Sequence, residues 1–264
     1  MPQKVLTMAG SDASGGAGLE ADLKVFEEFK TYGLAAISCI VTMDPAHNFF
    51  PTVHELDTNL FEKQCATAFV DNDLAAVKTG MLVSDEKIEL AGKILAQNKQ
   101  PNIIIDPVMI CKQGDNQYNL KNAIIKHLLP LATITTPNLL EAEILSETKI
   151  ETLDDMAKAA QIIHQLGASN VVIKGGHRLQ TTQAVDLFYD GQQFTYLEKP
   201  KITTNYNHGA GCSFAAAITA NLAYGKSPLE ATKIAKEFVY AAIKNGFMAN
   251  HYTGHVFHGA YNFK

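Results

Sequence analysis

The chain has no long apolar stretch, no run of basic residues and no closely spaced pair of cysteines. Its apolar segments stay below the roughly 18 residues that a membrane-spanning helix requires. The first of them, Val5–Ala9, ends at Gly10-Ser11-Asp12, too soon for a signal peptide. With a net charge of −5 and no basic patch, nucleic acid and anionic membranes are poor partners. We therefore expect a cytoplasmic protein that acts on small molecules.

The four cysteines are Cys39, Cys65, Cys111 and Cys212, and none belongs to a C-x-x-C pair. Reduced thiols are the default without an export signal, and spacing this wide argues against a zinc site. A chain of 264 residues buries roughly three quarters of its unfolded surface on folding, so it needs no disulfide or metal to be stable.

Short, continuously apolar runs alternate with segments of helical periodicity. The predicted strands are Val5–Ala9, Ala35–Thr42, Ala75–Lys78, Asn102–Ile105, Ile134-Thr135 and Asn170–Ile173, and the predicted helices are Leu19–Tyr32, Leu60–Phe69, Lys87–Gln97, Ile124–Leu131, Leu139–Ser146, Leu153–Leu166, Cys212–Leu222 and Pro228–Lys244. Asp190-Gly191 predicts a β-hairpin. Strands of this kind are typical of a parallel sheet covered by helices. We predict an α/β fold in a single domain over residues 1–264, a three-layer α/β/α sandwich with a mostly parallel central sheet and a small β-hairpin addition.

In open parallel sheets, ligands bind beyond the carboxyl ends of the strands. The most specific candidate for a ligand-binding segment is Gly209-Ala210-Gly211-Cys212, at the start of a predicted helix. Free backbone N–H groups there would bind a phosphate, and the helix field would lower the pKa of the Cys212 thiol. The alternative is a glycine-rich turn beside a core cysteine.

The G-A-G-C segment resembles the anion-hole signature of the ribokinase-like superfamily. It most resembles the pyridoxal and hydroxymethylpyrimidine kinase branch, which carries cysteine where most members carry aspartate. Further segments match that branch in order and spacing: Ala9–Asp12, Ser14–Gly18, Ala21–Lys24, Lys78–Leu82, Asp106–Met109, Thr136–Ala142 and Val172–Gly176. Ser14–Gly18 lacks the spacing of a dinucleotide-binding motif, and we assign it to the substrate side.

The resemblance implies a kinase that uses ATP and Mg²⁺. Cys212 would be the general base, and the amides of Gly209, Ala210 and Gly211 would stabilise the transferring phosphoryl group. The resemblance implies ATP-binding roles for Asn138, Lys174, Gly175, Gly176 and Asp186, and magnesium-binding roles for Asp106 and Glu141. The alternatives without a binding role are that Lys174 is an ordinary lysine at a strand end, and that Glu141 is a first-turn carboxylate that interacts favourably with the helix dipole.

On the substrate side, the resemblance implies that a heteroaromatic ring lies among Gly10, Asp22, Met43, Met81 and His208. For Asp22, a surface carboxylate on a helix is an equal alternative. Met43 departs from the hydroxymethylpyrimidine kinases, which carry glutamine there. Methionine offers only soft packing and therefore favours a pyridine ring.

Cys111 follows Asp106-Pro107-Val108-Met109 in a segment that the family uses as a lid. A cysteine there resembles a pyridoxal-kinase subgroup with two thiols in one site. We hypothesise that Cys212 captures the aldehyde of pyridoxal while Cys111 assists the proton chemistry; the alternative is that Cys111 is incidental.

The predicted function is phosphorylation of the 5′-hydroxymethyl group of pyridoxal, pyridoxine and pyridoxamine in vitamin B6 salvage. The close alternative is a hydroxymethylpyrimidine or phosphomethylpyrimidine kinase of thiamin biosynthesis, or that activity as a second one in the same site. A vitamin-binding sensor without turnover is a rival from another class, whereas a sugar kinase would carry aspartate at position 212. By resemblance we also expect a homodimer.

Overall fold

The computed structural model describes residues 1–71, 73–109 and 120–262, and within these ranges the chain forms twelve strands. The strands are β1 (Lys4–Asp12), β2 (Tyr32–Asp44), β3 (Phe50–Glu55), β4 (Ala76–Thr79), β5 (Ile103–Ile105), β6 (Ile134–Thr135), β7 (Val171–Lys174), β8 (Gln183–Tyr189), β9 (Phe194–Pro200), β10 (Tyr206–His208), β11 (Phe247–Met248) and β12 (Gly254–His255). In this part of the chain, nine of them form one sheet in the order β3-β2-β1-β4-β5-β6-β7-β8-β9.

The α-helices of the same ranges are α1 (Gly18–Glu28), α2 (Thr58–Ala68), α3 (Asp85–Gln97), α4 (Lys121–His127), α5 (Leu139–Ser146), α6 (Leu153–Gln165), α7 (Ala210–Ala223) and α8 (Pro228–Lys244). The bounds of α5 and α8 are those predicted from the sequence. Both helices begin with a capping box. The residue just before the helix and the third helical residue each accept, through their side chains, a hydrogen bond from the backbone N–H of the other. Among the described residues, no helix combines the length and apolar character that crossing a membrane requires.

The alternation of side chains along the strands produces a core on each face of the sheet. On β5, Ile103 and Ile105 pack into the cluster that includes α2 to α6, whereas Ile104 packs into the cluster that includes α1, α7 and α8. All three isoleucines are almost completely buried. This arrangement confirms the predicted three-layer α/β/α sandwich.

The central sheet is mostly parallel, as predicted, because the pairs from β2 through β7 all run in the same direction. The β8–β9 hairpin predicted at Asp190-Gly191 is present, but it extends the central sheet as antiparallel strands instead of forming a separate addition. Strand β3, which the sequence did not predict, pairs antiparallel with β2 at the other edge.

Several predicted boundaries next to the site are wrong, since β2 and β7 extend past their predicted ends, to Asp44 and Lys174. Strand β1 continues to Asp12, so Gly10 belongs to the strand and not to the following loop. Helix α7 begins at Ala210, two residues before the predicted start at Cys212, because Gly209 caps it in a left-handed conformation. A small sheet of β10, β12 and β11, also unpredicted, lies beside the start of α7.

Protonation of the buried His258 should weaken the fold in mild acid. Burial lowers the pKa of His258 to about 4, and the charges of Lys24 and His255 act in the same direction. Because the ordinary pKa is 6.5, the unfolded chain takes up this proton first as the pH falls. His258 therefore contributes about 3 kcal/mol of stability that is fully present above pH 6.5 and lost as the pH falls to about 4.

Urea unfolding at neutral pH and near the lower end of this range will test the contribution of His258. We expect His258→Gln to lose less stability on acidification than the unsubstituted protein. His251→Gln, at an exposed histidine, is the control and should keep the original pH dependence. An equal loss of stability in His258→Gln would contradict this account.

Candidate active site

The predicted site residues come from many parts of the chain but gather at one edge of the central sheet. Gly10 and Met43 lie near the carboxyl ends of β1 and β2, and Lys174 is the last residue of β7. Because β1, β2, β4, β5, β6 and β7 are parallel, these ends face the same side. The start of α7 lies close to the same edge, since Gly211 approaches the ammonium of Lys174.

The start of α7 is a turn that only glycine can form. Gly209 has a φ of 87°, in the left-handed region, and a Cβ at this position would collide with the carbonyl oxygen of Gly16. No side chain caps the helix, so the first backbone N–H groups, including those of Ala210 and Gly211, are left for a ligand. The predicted glycine-rich helix start is therefore present in the fold, and anion binding by its N–H groups stays a prediction.

Cys212 lies in the first turn of α7 and is half-buried. Burial raises the pKa of its thiol to about 11, although the ammonium of Lys78 and the backbone N–H of Gly18, which donates to the sulfur, act in the opposite direction. The lowered pKa expected from the helix N-terminus is therefore wrong, because removal from water outweighs the helix field.

A completely buried ion pair lies beneath the site. Asp22 Oδ2 accepts hydrogen bonds from Lys78 Nζ at 3.0 Å and from Thr7 Oγ1 at 2.6 Å, and neither charged side chain is exposed. The surface-carboxylate alternative for Asp22 is therefore wrong. Burial opposes the charge of Lys78, but the carboxylates of Asp22 and Asp106 and the Cys212 thiolate raise its pKa, so it stays an ammonium.

The other oxygen of Asp22, Oδ1, is buried and has no hydrogen-bond partner among the described residues. A buried acceptor without a partner is costly unless a ligand satisfies it. This oxygen is the acceptor that a substrate donor would use, and the substrate-binding role of Asp22 stays a prediction.

Lys174 joins the predicted nucleotide and metal residues. Its Nζ lies 3.0 Å from Asp106 Oδ1, and a Cβ built on Gly211 would be 3.5 Å from the same Nζ. Burial lowers the pKa of Lys174, but the carboxylates of Asp106 and Glu141 outweigh it and the pKa is raised. The structure thus places a lysine paired with Asp106 close to the start of α7, and its ATP-binding role stays a prediction.

Asn138 and Glu141 form the capping box of α5. The backbone N–H of Asn138 donates to Glu141 Oε2 at 2.7 Å, while Asn138 Oδ1 accepts from the N–H of Leu140 and of Glu141. The backbone N–H of Lys174 also donates to the carbonyl oxygen of Pro137 at 2.9 Å. The start of α5 is therefore fixed against the end of β7, with the largely buried Glu141 carboxylate near Lys174.

The Gly175-Gly176 turn after β7 is held from below by Asp186. The backbone N–H of Gly175 donates to Asp186 Oδ1 at 3.0 Å, and Lys236 Nζ lies 2.7 Å from Asp186 Oδ2. Gly176 has a φ of 58°, in the left-handed region. Both oxygens of Asp186 are thus used inside the protein, which gives this residue a structural part in shaping the turn.

The predicted substrate residues form an apolar wall. Met43 and Met81 pack on a buried cluster that contains Cys39 and Val83. A Cβ on Gly10 would come within 2.6 Å of Cys39 Sγ and 3.2 Å of Met81 Cε. The absence of a side chain at Gly10 therefore lets Cys39 and Met81 pack directly against the end of β1.

His208 lies apart from that wall, in a polar cluster with Asp12 and Ser14. Its Nε2 is 2.7 Å from Asp12 Oδ2, and its Cδ2 would be 2.5 Å from a Cβ on Gly16. His208 therefore packs against the turn between β1 and α1.

Three structurally important residues of the site had no assigned role in the sequence analysis: Asp12, Lys78 and Cys39. Lys78 carried a usable signal, because a lysine within an otherwise apolar strand indicates a buried counter-charge. Asp12 and Cys39 carried none, since the contacts of Asp12 with His208 and of Cys39 with Gly10 join residues far apart in sequence. Cys111, which was predicted to assist the reaction, lies outside the described residues.

Comparison with known proteins agrees with this arrangement. Residues 12–257 match the phosphomethylpyrimidine kinase family. The pyridoxine kinase of Bacillus subtilis is 48% identical over 261 residues, 97% of this chain and 96% of that protein. A pyridoxal kinase from Staphylococcus aureus in complex with AMP-PCP and pyridoxal has a TM-score of 0.93 and 48% identity, covering 99% of this chain and 96% of that one. The hydroxymethylpyrimidine/phosphomethylpyrimidine kinase of Bacillus subtilis is more distant, at 39% identity over 246 residues, 92% of this chain and 89% of that protein.

Substitution of Lys78 should destabilise the protein far more than substitution of an exposed lysine. Lys78→Met leaves the Asp22 carboxylate buried without its counter-ion, and we expect a loss of about 3–5 kcal/mol. The double substitution Lys78→Met with Asp22→Asn should recover part of that loss. Urea unfolding at neutral pH measures both effects.

Lys4→Met is the matched control, because Lys4 pairs with Asp73 on the protein surface at 2.6 Å. Its unfolding midpoint should stay close to that of the unsubstituted protein, since surface ion pairs contribute little. If Lys78→Met behaves like Lys4→Met, the buried pair does not have the importance given to it here.

Proposed function

The chain belongs to the phosphomethylpyrimidine kinase family, and we propose that it transfers a phosphoryl group from ATP to the 5′-hydroxymethyl group of pyridoxal, pyridoxine and pyridoxamine. The observation that carries this proposal is the position of Cys212. It lies on an uncapped glycine-rich helix start that also approaches Lys174. The relatives named pyridoxine or pyridoxal kinase support the same substrate class.

In the proposed reaction, Cys212 takes the proton of the substrate hydroxyl group as its oxygen attacks the γ-phosphorus of ATP. The bond from that phosphorus to the bridging oxygen of ADP breaks, and the negative charge passes to ADP. The N–H groups of Gly209, Ala210 and Gly211 would face the oxygens of the phosphoryl group in transfer. Since burial keeps the free thiol protonated, the Lys78 ammonium and the Gly18 N–H are the groups that favour its ionisation.

The nucleotide would bind along the ends of β6 and β7. The Lys174 ammonium would meet phosphate oxygens. The exposed Gly176 would lie near them, in a turn whose Gly175 N–H is held by Asp186. Asn138 would act as the cap that fixes the start of α5 at this edge.

Asp106 and Glu141 fit a magnesium ion that binds together with ATP. The described residues contain no cluster of three or more His, Cys, Asp or Glu side chains that could hold a metal alone. Magnesium needs no such cluster, because it keeps much of its water shell and binds through one or two carboxylates and substrate phosphates. Both side chains are largely buried near Lys174. When bound, Mg²⁺ offsets the charge of the phosphates.

The apolar wall of Met43 and Met81 favours pyridoxal over hydroxymethylpyrimidine. An aminopyrimidine edge needs a hydrogen-bonding partner, and a methionine thioether is a weak one. The second candidate, kinase activity on hydroxymethylpyrimidine or its phosphate, is supported by the family and by the free Asp22 Oδ1, which can accept a hydrogen bond from either ring.

Two further parts of the proposal rest on the resemblance. With pyridoxal, Cys212 would instead capture the aldehyde as a hemithioacetal, its thiol proton passing to the aldehyde oxygen, and Cys111 would then assist the proton transfer from the substrate hydroxyl group. We also propose a cytoplasmic homodimer. In support of a dimer, strand β3 lies at the edge of the sheet and carries the exposed Phe50, and such edges are often covered by a partner.

The oligomeric state can be tested by light scattering after size-exclusion chromatography. We expect the mass of two chains, and Phe50→Glu, at the exposed aromatic residue of β3, should shift it toward one chain because it places a charge in the contact. Lys30→Glu, at an exposed position on another side of the domain, is the control for charge change alone. A single-chain mass for the unsubstituted protein would exclude the homodimer.

An ADP-release assay with pyridoxal and hydroxymethylpyrimidine side by side tests the proposed function. We expect pyridoxal to be phosphorylated. Cys212→Ala should lower kcat by about 100-fold or more, since general-base contributions are typically of that size. Cys111→Ala should also lose activity on pyridoxal if two thiols act together.

Cys65→Ala is the matched control, because Cys65 is buried in α2 away from the site and should leave kcat unchanged. Turnover of the pyrimidine alone, with Cys111→Ala silent, would favour the thiamin-pathway enzyme. Binding of pyridoxal with no ADP formed would instead indicate a sensor.

A further inference from the structure

We propose that Asp12 is a positioning residue of the phosphoryl-transfer site, which joins the glycine-rich turn after β1 to the start of α7 and so sets the surroundings of the Cys212 sulfur. The inference rests on the proposed function, in which Cys212 is the base. Asp12 is the last residue of β1 and is buried, with 5% of its surface exposed.

The carboxylate of Asp12 accepts four hydrogen bonds. Its Oδ1 accepts from the backbone N–H of Ser14 at 2.8 Å. Its Oδ2 accepts from the Ser14 hydroxyl at 2.9 Å, from the backbone N–H of Ala17 at 2.9 Å and from His208 Nε2 at 2.7 Å. One side chain therefore organises a local turn and reaches a residue nearly 200 positions away.

The first connection runs through Ala17 to the sulfur. Ala17 is the residue before α1, and the next residue, Gly18, has a φ of 57°. The backbone N–H of Gly18 donates to the Cys212 sulfur, and this hydrogen bond favours the thiolate. Because Asp12 holds the N–H of Ala17, it fixes the direction of the adjoining Gly18 N–H.

The second connection runs through His208 to the start of α7. His208 immediately precedes Gly209, whose left-handed conformation begins the helix. Gly209 packs directly on the carbonyl oxygen of Gly16, within the turn that Asp12 organises. The two connections therefore meet at the first turn of α7, where Cys212 lies.

The role requires an ionised carboxylate, because only that form can accept all four hydrogen bonds. Burial acts to raise the pKa of Asp12, but the hydrogen bonds from His208 and Ser14 outweigh it and the pKa is lowered. Asparagine has the same shape but only one acceptor oxygen, and its amide group would present a donor to another donor. Asp12→Asn is therefore a change of hydrogen bonding with little change of volume.

The charged groups around Cys212 stay in place in this variant. Lys78 on β4, Asp22 on α1, Asp106 after β5 and Lys174 on β7 all interact with the Cys212 thiol. A change in Cys212 ionisation would therefore report the altered Gly18 hydrogen bond and not a lost counter-ion.

The test is the pH dependence of Cys212 alkylation by iodoacetamide, measured by mass spectrometry of the peptide that contains this residue. We expect Asp12→Asn to raise the pH midpoint of alkylation by about half a unit or more, because the thiolate loses a donor. We also expect kcat with pyridoxal to fall about 10–100-fold, the cost of a misplaced reacting group. KM for ATP should change less than about threefold, since the nucleotide side is untouched.

Asp57→Ala is the matched control for a purely structural aspartate. Asp57 caps α2 by accepting from the N–H of Leu60, far from the site in the chain, and its loss should lower the melting temperature without moving the alkylation midpoint or kcat. If Asp12→Asn shows only the lower melting temperature, Asp12 is not a positioning residue.

A second variant covers the case in which Asp12→Asn does not fold. His208→Phe removes the contacts of His208 Nε2 with Asp12 and with the Ser14 hydroxyl but leaves the backbone donors of Ser14 and Ala17 on Asp12. It should raise the alkylation midpoint by a smaller amount, and an unchanged midpoint would overturn the proposal. Failure of the proposed function can be told apart from failure of the Asp12 proposal. The first would appear as absent pyridoxal turnover in the unsubstituted protein, whereas the alkylation midpoints can be measured without turnover.

Discussion

The site depends on the close approach of two backbone segments, the turn after β1 and the start of α7. Gly209 lies so near the carbonyl oxygen of Gly16 that no side chain fits between them. This contact brings a helix N-terminus with free donors to the edge of the sheet where the strands end. Without it, the sheet would still present Lys174 and Asp106, but no group would face the charge that develops during phosphoryl transfer.

The second constraint is the balance of buried charge. Lys78 and Lys174 lie beneath and beside the same helix start, and each is paired with an aspartate at 3.0 Å. Replacing such pairs with apolar residues often makes proteins more stable, so their presence is weak support for a stabilising role. Here each lysine also acts on the Cys212 thiol, which gives the pairs a part in the chemistry of the site.

The fold could be predicted where local signals were strong. Helices α5 and α8 begin at capping boxes whose residues are three apart in sequence, and their predicted bounds agree with the structure. Strands β10, β11 and β12 have two or three residues each, too few for a periodic pattern. Gly10-Ser11-Asp12 has the composition of a loop, yet pairing with β2 keeps these residues in β1.

For the site, the sequence motifs supplied the residues but not their surroundings. The glycines of the helix start were found because their spacing is local. Lys78 lies 56 residues from Asp22 and His208 lies 196 residues from Asp12, and no pattern in the chain connects either pair. The pKa of Cys212 was misjudged for the same reason, since a helix start is visible in sequence whereas the depth of burial is not.

The balance of charge also offers a physical reason for a cysteine at position 212. Asp22, Asp106 and Glu141 already place three carboxylates around two ammonium groups, and a fourth carboxylate at this position would add like charge in a poorly solvated place. A thiol with a pKa of about 11 is neutral at rest and adds no such repulsion. It can still accept a proton after ionising beside Lys78. A neutral side chain that becomes a base only when its surroundings favour the anion therefore suits this arrangement better than aspartate.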